Sequence, residues 1–332
     1  MKAAFITATG PASAIQYGTV QKPTIAADQV LVRTAAVAVN PIDTYVRSGS
    51  VALDLPEKYI PGCDVAGTVD AVGSDVTRFQ VGDRVWGSNQ GLSGRQGTFA
   101  EYVSVEECWL YPTPDNVTDE DVVAVSLTGI TAHLGLHLHA GLQAGDVVFV
   151  NGGTGGVGSA VVQLAKAAGA TVITTVGSDL KQTIARDLGA DIAVNYRAGV
   201  WSKNVASAVS ETGPINVWFE TLRTPTPDVT IPLMAKRGRY VLMAGRDARP
   251  EFPVGPFYVN DLRAAGFAMF NASSDEQAVC AAEINRLLSA KQMKALIGAR
   301  FALSDTAAAH QLQEDNTLHG AGTLSGKIVL TP

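Results

Sequence analysis

The stretch Gly152-Gly153-Thr154-Gly155-Gly156-Val157-Gly158 follows the apolar run Val147–Val150 and Asn151, and it opens onto a helical pattern, Ser159–Ala168. Within it Gly153, Gly155 and Gly158 make a G-x-G-x-x-G. The chemistry that suits such a loop is phosphate binding. Gly153 permits a tight turn, Gly155 lets a pyrophosphate approach the backbone, and Gly158 lets the helix pack close to the strand. Thr154, Gly156 and Val157 complete the cradle. A helix starting there aims unpaired N–H groups and the positive end of its dipole at the phosphates. The bare motif is weak, since glycine-rich turns also occur without ligands. A strand directly before it and a helix directly after it favour dinucleotide binding.

Which dinucleotide is decided at the end of the next strand, Thr171–Val176. An NAD site places Asp or Glu about 20 residues beyond the glycines, on the ribose hydroxyls. Here Gly177 and Ser178 stand 19 and 20 residues past Gly158. A carboxylate would repel a 2′-phosphate, and its absence leaves room for one. Lys181 and Tyr196, in Asn195-Tyr196-Arg197, are the candidate phosphate partners, so NADPH (NADP+) is the expected cofactor. Asp179 is expected to cap the following helix. Ala244 and Gly245, at the end of the run Tyr240–Ala244, complete the candidate cofactor set.

These residues need a parallel α/β sheet to hold them. From about Asp121 the chain alternates helical patterns with short apolar runs: Asp121–His139 (helix), Val147–Val150, Thr171–Val176, about 180–188 (helix), Ile192–Val194, Asn216–Phe219 and Tyr240–Ala244. That alternation implies βαβ units and a doubly wound sheet. Before it, runs such as Lys2–Ile6, Gln29–Ala36 and Thr68–Val72, punctuated by Gly, Pro and Asp turns, suggest a barrel-like β unit. After it come an expected strand Gly266–Phe270, helices at Asp275–Ala290 and near Asp305–Glu314, and a last strand Lys327–Leu330. The expected domains are residues 1–121, 122–265 and 266–332. The last segment is expected to complete both the sheet edge and the β domain.

At 332 residues, 46% hydrophobic and 17% charged, the chain is a well-buried globular protein of about two domains. A net charge of −6 leaves no basic stripe for nucleic acid or an anionic membrane surface. Three scattered cysteines, Cys63, Cys108 and Cys280, fit no disulfide framework and no C-x-x-C metal site. Lys2, the apolar run Ala3–Ala8 and Ala12-Ser13-Ala14 loosely mimic a secretion signal. The apolar run is too short for one, and the cytoplasm is the expected compartment.

The string Val39-Asn40-Pro41-Ile42-Asp43-Thr44-Tyr45-Val46-Arg47-Ser48-Gly49 resembles the signature of the zinc-independent, zeta-crystallin-like quinone oxidoreductases of the medium-chain dehydrogenase/reductase superfamily. So do Pro61–Val69, Val81–Val85, Gly152–Gly158 and Gly326–Leu330, in order along the chain. The resemblance implies a GroES-like catalytic domain built from both chain ends, an inserted Rossmann domain and a nicotinamide between them. It implies that Asn40, Tyr45 and Thr131 line the nicotinamide end, and that Lys181 and Tyr196 hold the 2′-phosphate. It also implies a homodimer paired through Rossmann edge strands, here Gly266–Phe270.

Zinc-dependent relatives carry Cys, a His-Glu pair and a third ligand where this chain has Asn40, Cys63-Asp64 and the neighbourhood of Leu127. That is no tetrahedral set, and no structural-zinc cysteine cluster is present. Without a Lewis acid to stabilise an alkoxide, the suited substrates are electron-poor already: quinones or other conjugated carbonyls. The expected reaction is hydride transfer from the nicotinamide to such an acceptor. Tyr45 or Asn40 orients the acceptor, and solvent or Tyr45 supplies the proton; alternatively, Tyr45 simply packs on the cofactor. Rival readings are an enoyl-thioester or alkenal double-bond reductase on the same scaffold, and a non-catalytic dinucleotide-binding protein. His133, His137 and His139 fit helix-surface positions better than a metal site. His310 and His319 stand alone in the tail, and no G-x-S-x-G elbow exists.

Overall fold

The computed structural model describes all 332 residues and divides them into two compact units: Met1–Leu127 with Ser274–Ala290 and Ala295–Pro332, and Thr128–Ser273 with Lys291–Lys294. The first unit begins with β1 (Lys2–Phe5), β2 (Gln16–Thr19), β3 (Gln29–Val39), α1 (Pro41–Ser48), β4 (Asp64–Val72), β5 (Arg84–Gly87), β6 (Tyr102–Glu106) and β7 (Leu110–Pro112). The chain changes unit within α2 (Asp119–His133). The second unit then runs β8 (Val147–Val150), α3 (Gly156–Ala167), β9 (Thr171–Val176), α4 (Asp179–Asp187), β10 (Ile192–Asn195), α5 (Trp201–Thr212), β11 (Ile215–Glu220), α6 (Pro227–Thr230), β12 (Met234–Leu242), α7 (Val254–Val259) and β13 (Arg263–Gly266). The tail adds α8 (Ser274–Ser289), β14 (Ile297–Ala302), α9 (Thr306–Thr317) and β15 (Lys327–Thr331).

In the first unit a seven-stranded sheet runs β14-β15-β3-β4-β5-β7, with β6 also on β3. The C-terminal β15 pairs antiparallel with β3, matching Ile328 to Val39, so the chain's last strand closes a sheet begun by its third. Alternating inward valines of β3 (Val30, Val32, Val37, Val39) form its core with Val65, Val85, Val103, Ile328 and Leu330, all nearly inaccessible to solvent. The alternation slips at two irregularities between β3 and β4, near Leu31/Val32 and Thr34/Ala36. Such bulges bend a strand and let a small sheet curl.

The second unit holds a six-stranded, all-parallel sheet, β10-β9-β8-β11-β12-β13. Counted from β8, this is the doubly wound order 3-2-1-4-5-6 of a Rossmann sheet. Its central strands are buried on both faces, which explains why Val147–Val150 and Val217–Phe219 read as continuous apolar runs. Phe149 and Trp218 pack tilted against each other across β8 and β11, with ring centroids 3.9 Å apart. The strand order reverses between those two strands, and open α/β sheets bind ligands at the carboxyl ends there.

Several expected elements shift. The helix expected over Asp121–His139 is α2 followed by a π-helical turn, Leu134–His139. Together they are long and apolar enough to cross a membrane by composition, yet 83% of the apolar window is buried within the protein. The run Gly266–Phe270 is not a strand. The edge strand is β13, which ends at Gly266. Beyond it Phe267 stacks on His139 at 4.6 Å, and Met269 is buried in a short 3-10 turn, so side-chain packing pulls the chain off the sheet. Helices α1 and α5 and strand β14 went unread. The α5 start, Val200, offers no capping side chain to announce it.

Candidate active site

In the second unit the glycine loop leaves β8 and turns into α3, as the spacing requires, but its glycines divide their work differently from expectation. The left-handed residue of the turn is Gly152 (φ +68°), not Gly153. Gly153 is needed because a Cβ there would stand 2.2 Å from the Thr174 hydroxyl on β9. Gly158 keeps its expected role: a Cβ would lie 2.1 Å from the Gly152 carbonyl oxygen, so helix and loop touch backbone to backbone. Gly155 is the N-cap of α3 and exposed, and a Cβ on it meets only the Gly152 oxygen, at 3.2 Å. The N–H groups of Gly156, Val157 and Gly158 lie in the first helical turn, where no earlier carbonyl of the helix can accept them. An exposed backbone crest at a helix start is a seat for a pyrophosphate.

Beneath the loop lies a polar network that sequence reasoning missed. Glu220, the fully buried last residue of β11, accepts from Asn151 Nδ2 on both oxygens (3.0 and 3.0 Å), from Trp218 Nε1 (3.2 Å) and from Leu222 N–H (2.9 Å). Asn151 Oδ1 accepts from the Thr175 hydroxyl (3.0 Å), whose oxygen in turn accepts from Gly152 N–H (3.1 Å). The first turn of the loop is thus tied through Asn151 to a carboxylate at the switch point of the sheet. Burial raises the Glu220 pKa, and the hydrogen bonds from Leu222, Asn151, Trp218 and the Thr221 backbone oppose that rise. The only signal in the sequence was an acid closing an apolar run, Ile215–Glu220. Because every partner is a donor, Glu220→Gln turns an amide NH2 toward one of them, at a cost of about 1–3 kcal/mol. The expected result is roughly tenfold weaker NADPH binding by fluorescence titration, the low end of that range. Unchanged affinity would show that the loop does not depend on this tie.

At the end of β9, Ser178 rather than Asp179 caps α4: its oxygen accepts from Lys181 N–H at 3.3 Å. Asp179 accepts from Asn195 Nδ2 at 2.9 Å. Tyr196, 43% exposed, follows β10, and its hydroxyl lies over Gly177, where a Cβ would come within 2.6 Å of that oxygen. Lys181 is half-buried, and burial and then the nearby Arg197 guanidinium pull its pKa down. Gly177, Ser178, Lys181, Tyr196 and Arg197 therefore gather in one unit beside the loop. Thr131 is buried on α2, and Ala244 and Gly245 follow β12, with Gly245 in the left-handed region (φ +88°).

In the first unit, Tyr45 is half-buried on α1, whereas Asn40 is wholly inaccessible. Its amide is engaged on both sides. Nδ2 donates to Asp64 Oδ2 (2.8 Å), and Oδ1 accepts from the Lys327 ammonium, which also donates to the Val39 carbonyl. The expectation that Asn40 orients an acceptor is corrected accordingly: its polar atoms are spent inside the unit, and Tyr45 remains the candidate for direct contact. Asp64 Oδ1 accepts from Ser88 Oγ (2.7 Å) and Leu127 N–H (3.2 Å), while Asp43 accepts from Asn40 N–H (2.7 Å). Burial pushes Asp43 up to about 7 and raises Asp64, and it raises the thiol of buried Cys63, which faces Asp43.

A doubly wound parallel unit set into the middle of a β-rich unit made from both chain ends is the architecture of a two-domain dinucleotide oxidoreductase. Residues 26–115 match the alcohol dehydrogenase GroES-like domain, and residues 156–285 match the zinc-binding dehydrogenase domain. The human quinone oxidoreductase is 31% identical over 302 residues, covering 91% of this chain and 88% of that protein. An NADPH-dependent alkenal/one oxidoreductase of Arabidopsis thaliana is 41% identical over 180 residues, 52% of this chain and 46% of that protein. Among solved structures, an NAD-dependent alcohol dehydrogenase superposes with a TM-score of 0.89 at 29% identity, covering 100% of both chains. A mycobacterial protein complexed with NADPH does so with a TM-score of 0.86 at 28% identity, again covering 100% of both chains. The chain belongs to the quinone oxidoreductase branch of the medium-chain dehydrogenase/reductase superfamily, and it is an oxidoreductase.

The second domain's description names zinc, and the residues at the corresponding positions of this chain do not fit that ion. Asn40 and both Asp64 oxygens are already engaged, Leu127 has no ligating side chain, and a buried ammonium stands among them. A cation in that position repels a divalent metal, and Cys63 alone does not make a tetrahedral set.

Proposed function

We propose that the protein is an NADPH-dependent reductase that works without zinc on quinones or other conjugated carbonyls. The observation that carries the cofactor choice is the end of β9. No carboxylate stands at Gly177-Ser178, Asp179 is occupied by Asn195, and Lys181 and Arg197 are close enough for one cation to depress the other's pKa. Two clustered cations with a tyrosine hydroxyl beside them suit a phosphate, which takes charge-assisted hydrogen bonds from all three. The relative complexed with NADPH and the human quinone oxidoreductase support the same choice.

A bound reduced nicotinamide supplies the hydride. The exposed crest Gly155–Val157 and the start of α3 hold the pyrophosphate, while Lys181, Arg197 and Tyr196 hold the 2′-phosphate. Tyr45 positions the acceptor carbonyl by donating a hydrogen bond to its oxygen, where negative charge gathers as hydride arrives. Electron-poor acceptors suit this arrangement, because they spread that charge without a Lewis acid. We further propose that a second copy pairs along the free edge of β13.

Lys181→Ala is expected to raise KM for NADPH about 10- to 100-fold, the worth of one charge-assisted phosphate contact, and to leave KM for NADH unchanged. Equal loss with both cofactors, or a wild-type preference for NADH, overturns the assignment. An acceptor panel of a quinone, an alkenal and an enoyl thioester tests the substrate class in a chelator-treated enzyme. The Arabidopsis relative favours the alkenal as the second reading. NADPH binding without turnover of any acceptor would instead favour a non-catalytic dinucleotide-binding protein.

A further inference from the structure

Lys327 has no place in the function derived so far. It opens β15 and is 5% exposed, and its ammonium meets the Val39 carbonyl and Asn40 Oδ1. A lysine is almost never buried without a partner, because stripping water from the ammonium costs several kcal/mol. Here Asn40 bridges the ammonium to Asp64 through the two ends of its amide, and Asp64 and Asp43 both pull the lysine's pKa up against the burial that lowers it. The Ser88 hydroxyl and Leu127 N–H satisfy the far side of Asp64. The cluster contains one cation, two carboxylates and one thiol, all sealed from solvent.

What this cluster touches is the junction between β3 and α1. Val39 ends the strand, Asn40 is the N-cap of the helix, and Asp43 reaches back to the Asn40 N–H at 2.7 Å. Tyr45 stands one turn further along the same helix. The ammonium grips the last strand carbonyl and the cap side chain together, and so it fixes where α1 begins and which way it points.

We propose that Lys327 is a positioning residue for the reduction: its buried ammonium locks the β3–α1 junction and thereby sets Tyr45 against the acceptor. The proposal rests on the reductase reading, and it assigns to a residue nearly 290 positions away in sequence the task of holding the helix that carries the candidate donor.

The test uses Lys327→Ala and Lys327→Met in the full chain, the methionine filling the volume without the charge. In both, kcat with a quinone at saturating NADPH is expected to fall about 100-fold, the effect of misplacing a reacting group by roughly an ångström. NADPH affinity stays within about twofold, since the dinucleotide cradle lies in the other unit and shares no partner with Lys327. Propylammonium is expected to restore a measurable part of kcat to Lys327→Ala and none to Lys327→Met, and tetramethylammonium at the same concentration to restore none. Hydrogen exchange of the peptide spanning residues 41–48 is expected to quicken in both variants and to slow again in the alanine variant with propylammonium. Unchanged kcat with unchanged exchange overturns the proposal. So does a loss that propylammonium does not reverse in an alanine variant whose melting temperature matches that of the methionine variant. Should the wild type reduce no acceptor at all, the reductase reading fails by itself, and the exchange of residues 41–48 still decides whether Lys327 holds α1.

Discussion

Gly158→Ala is expected to cost the protein both its dinucleotide and part of its stability, while Gly155→Ala costs the dinucleotide alone. The difference lies in what a methyl group meets. At position 158 it would sit 2.1 Å from the Gly152 carbonyl oxygen and 2.8 Å from the Gly152 carbonyl carbon, both backbone atoms that no rotamer change can clear. Either α3 slides away from β8 or the loop opens. Overpacking of this kind costs typically 1–3 kcal/mol. It also moves the N–H groups that seat the pyrophosphate, and several charge-assisted hydrogen bonds are lost together. At about 1.5–3 kcal/mol each, two of them amount to more than a hundredfold in affinity. At position 155 the methyl meets one oxygen at 3.2 Å and otherwise faces outward. The fold tolerates that, but the methyl stands where the phosphate must come close. NADPH titration by fluorescence and thermal melting, run side by side, give the result. If the two variants lose stability equally, the backbone contact at Gly158 is not what constrains that position.

His310→Phe is expected to make the protein more acid-stable. His310 is fully buried on α9, its ring packs edge-on to Phe99 at 5.5 Å, and neither ring nitrogen has a hydrogen-bond partner. Nearby, the guanidinium of buried Arg47 is paired with Glu314 and the Gly10 carbonyl. Burial first, and then the Arg47 charge, lower the His310 pKa from 6.5 to about 3. The unfolded chain therefore binds one more proton than the folded one between those two values. Its contribution to stability is intact above about 6.5 and is lost as the pH falls toward about 3, by about 1.4 kcal/mol per pH unit, or on the order of 5 kcal/mol in all. Asp43 works in the opposite direction. Its pKa is raised to about 7 in the folded protein, so its effect on stability worsens as pH rises from about 4 to 7. The two trends partly cancel in the wild type, and only the difference between wild type and variant isolates the histidine. Denaturant unfolding at a series of pH values should show that difference growing steadily from pH 6.5 downward. A constant difference would mean that the imidazole already takes up its proton in the folded protein.

The strand–loop–helix form of the glycine loop was legible because it is local: turn, crest and helix start lie within seven consecutive residues, and strand and helix patterns bracket them. The absence of an acid at Gly177-Ser178 was equally local. The division of labour inside the loop was not, because Gly153 is constrained by Thr174, a residue of the neighbouring strand. Asn40 was singled out by type and position, yet its task came out differently once Asp64 and Lys327 closed around its amide. Glu220, His310 and Lys327 gave almost no sign in the sequence. Each matters through partners dozens to hundreds of residues away, and a single acid or base in an apolar run looks the same whether its partner is a buried amide or water.

Composition and periodicity were enough to specify two units, a β-rich one and a parallel α/β one, because strand and helix periods and the turns between them are properties of short segments. The residue types at the loop and at the end of its neighbouring strand pointed to phosphate chemistry for the same reason. Tertiary structure alone decided which buried charges meet. Ion pairing in the interior depends on distances between elements that only the assembled sheet sets, and β15 returning beside β3 is what brings the Lys327 ammonium to the start of the helix that carries Tyr45.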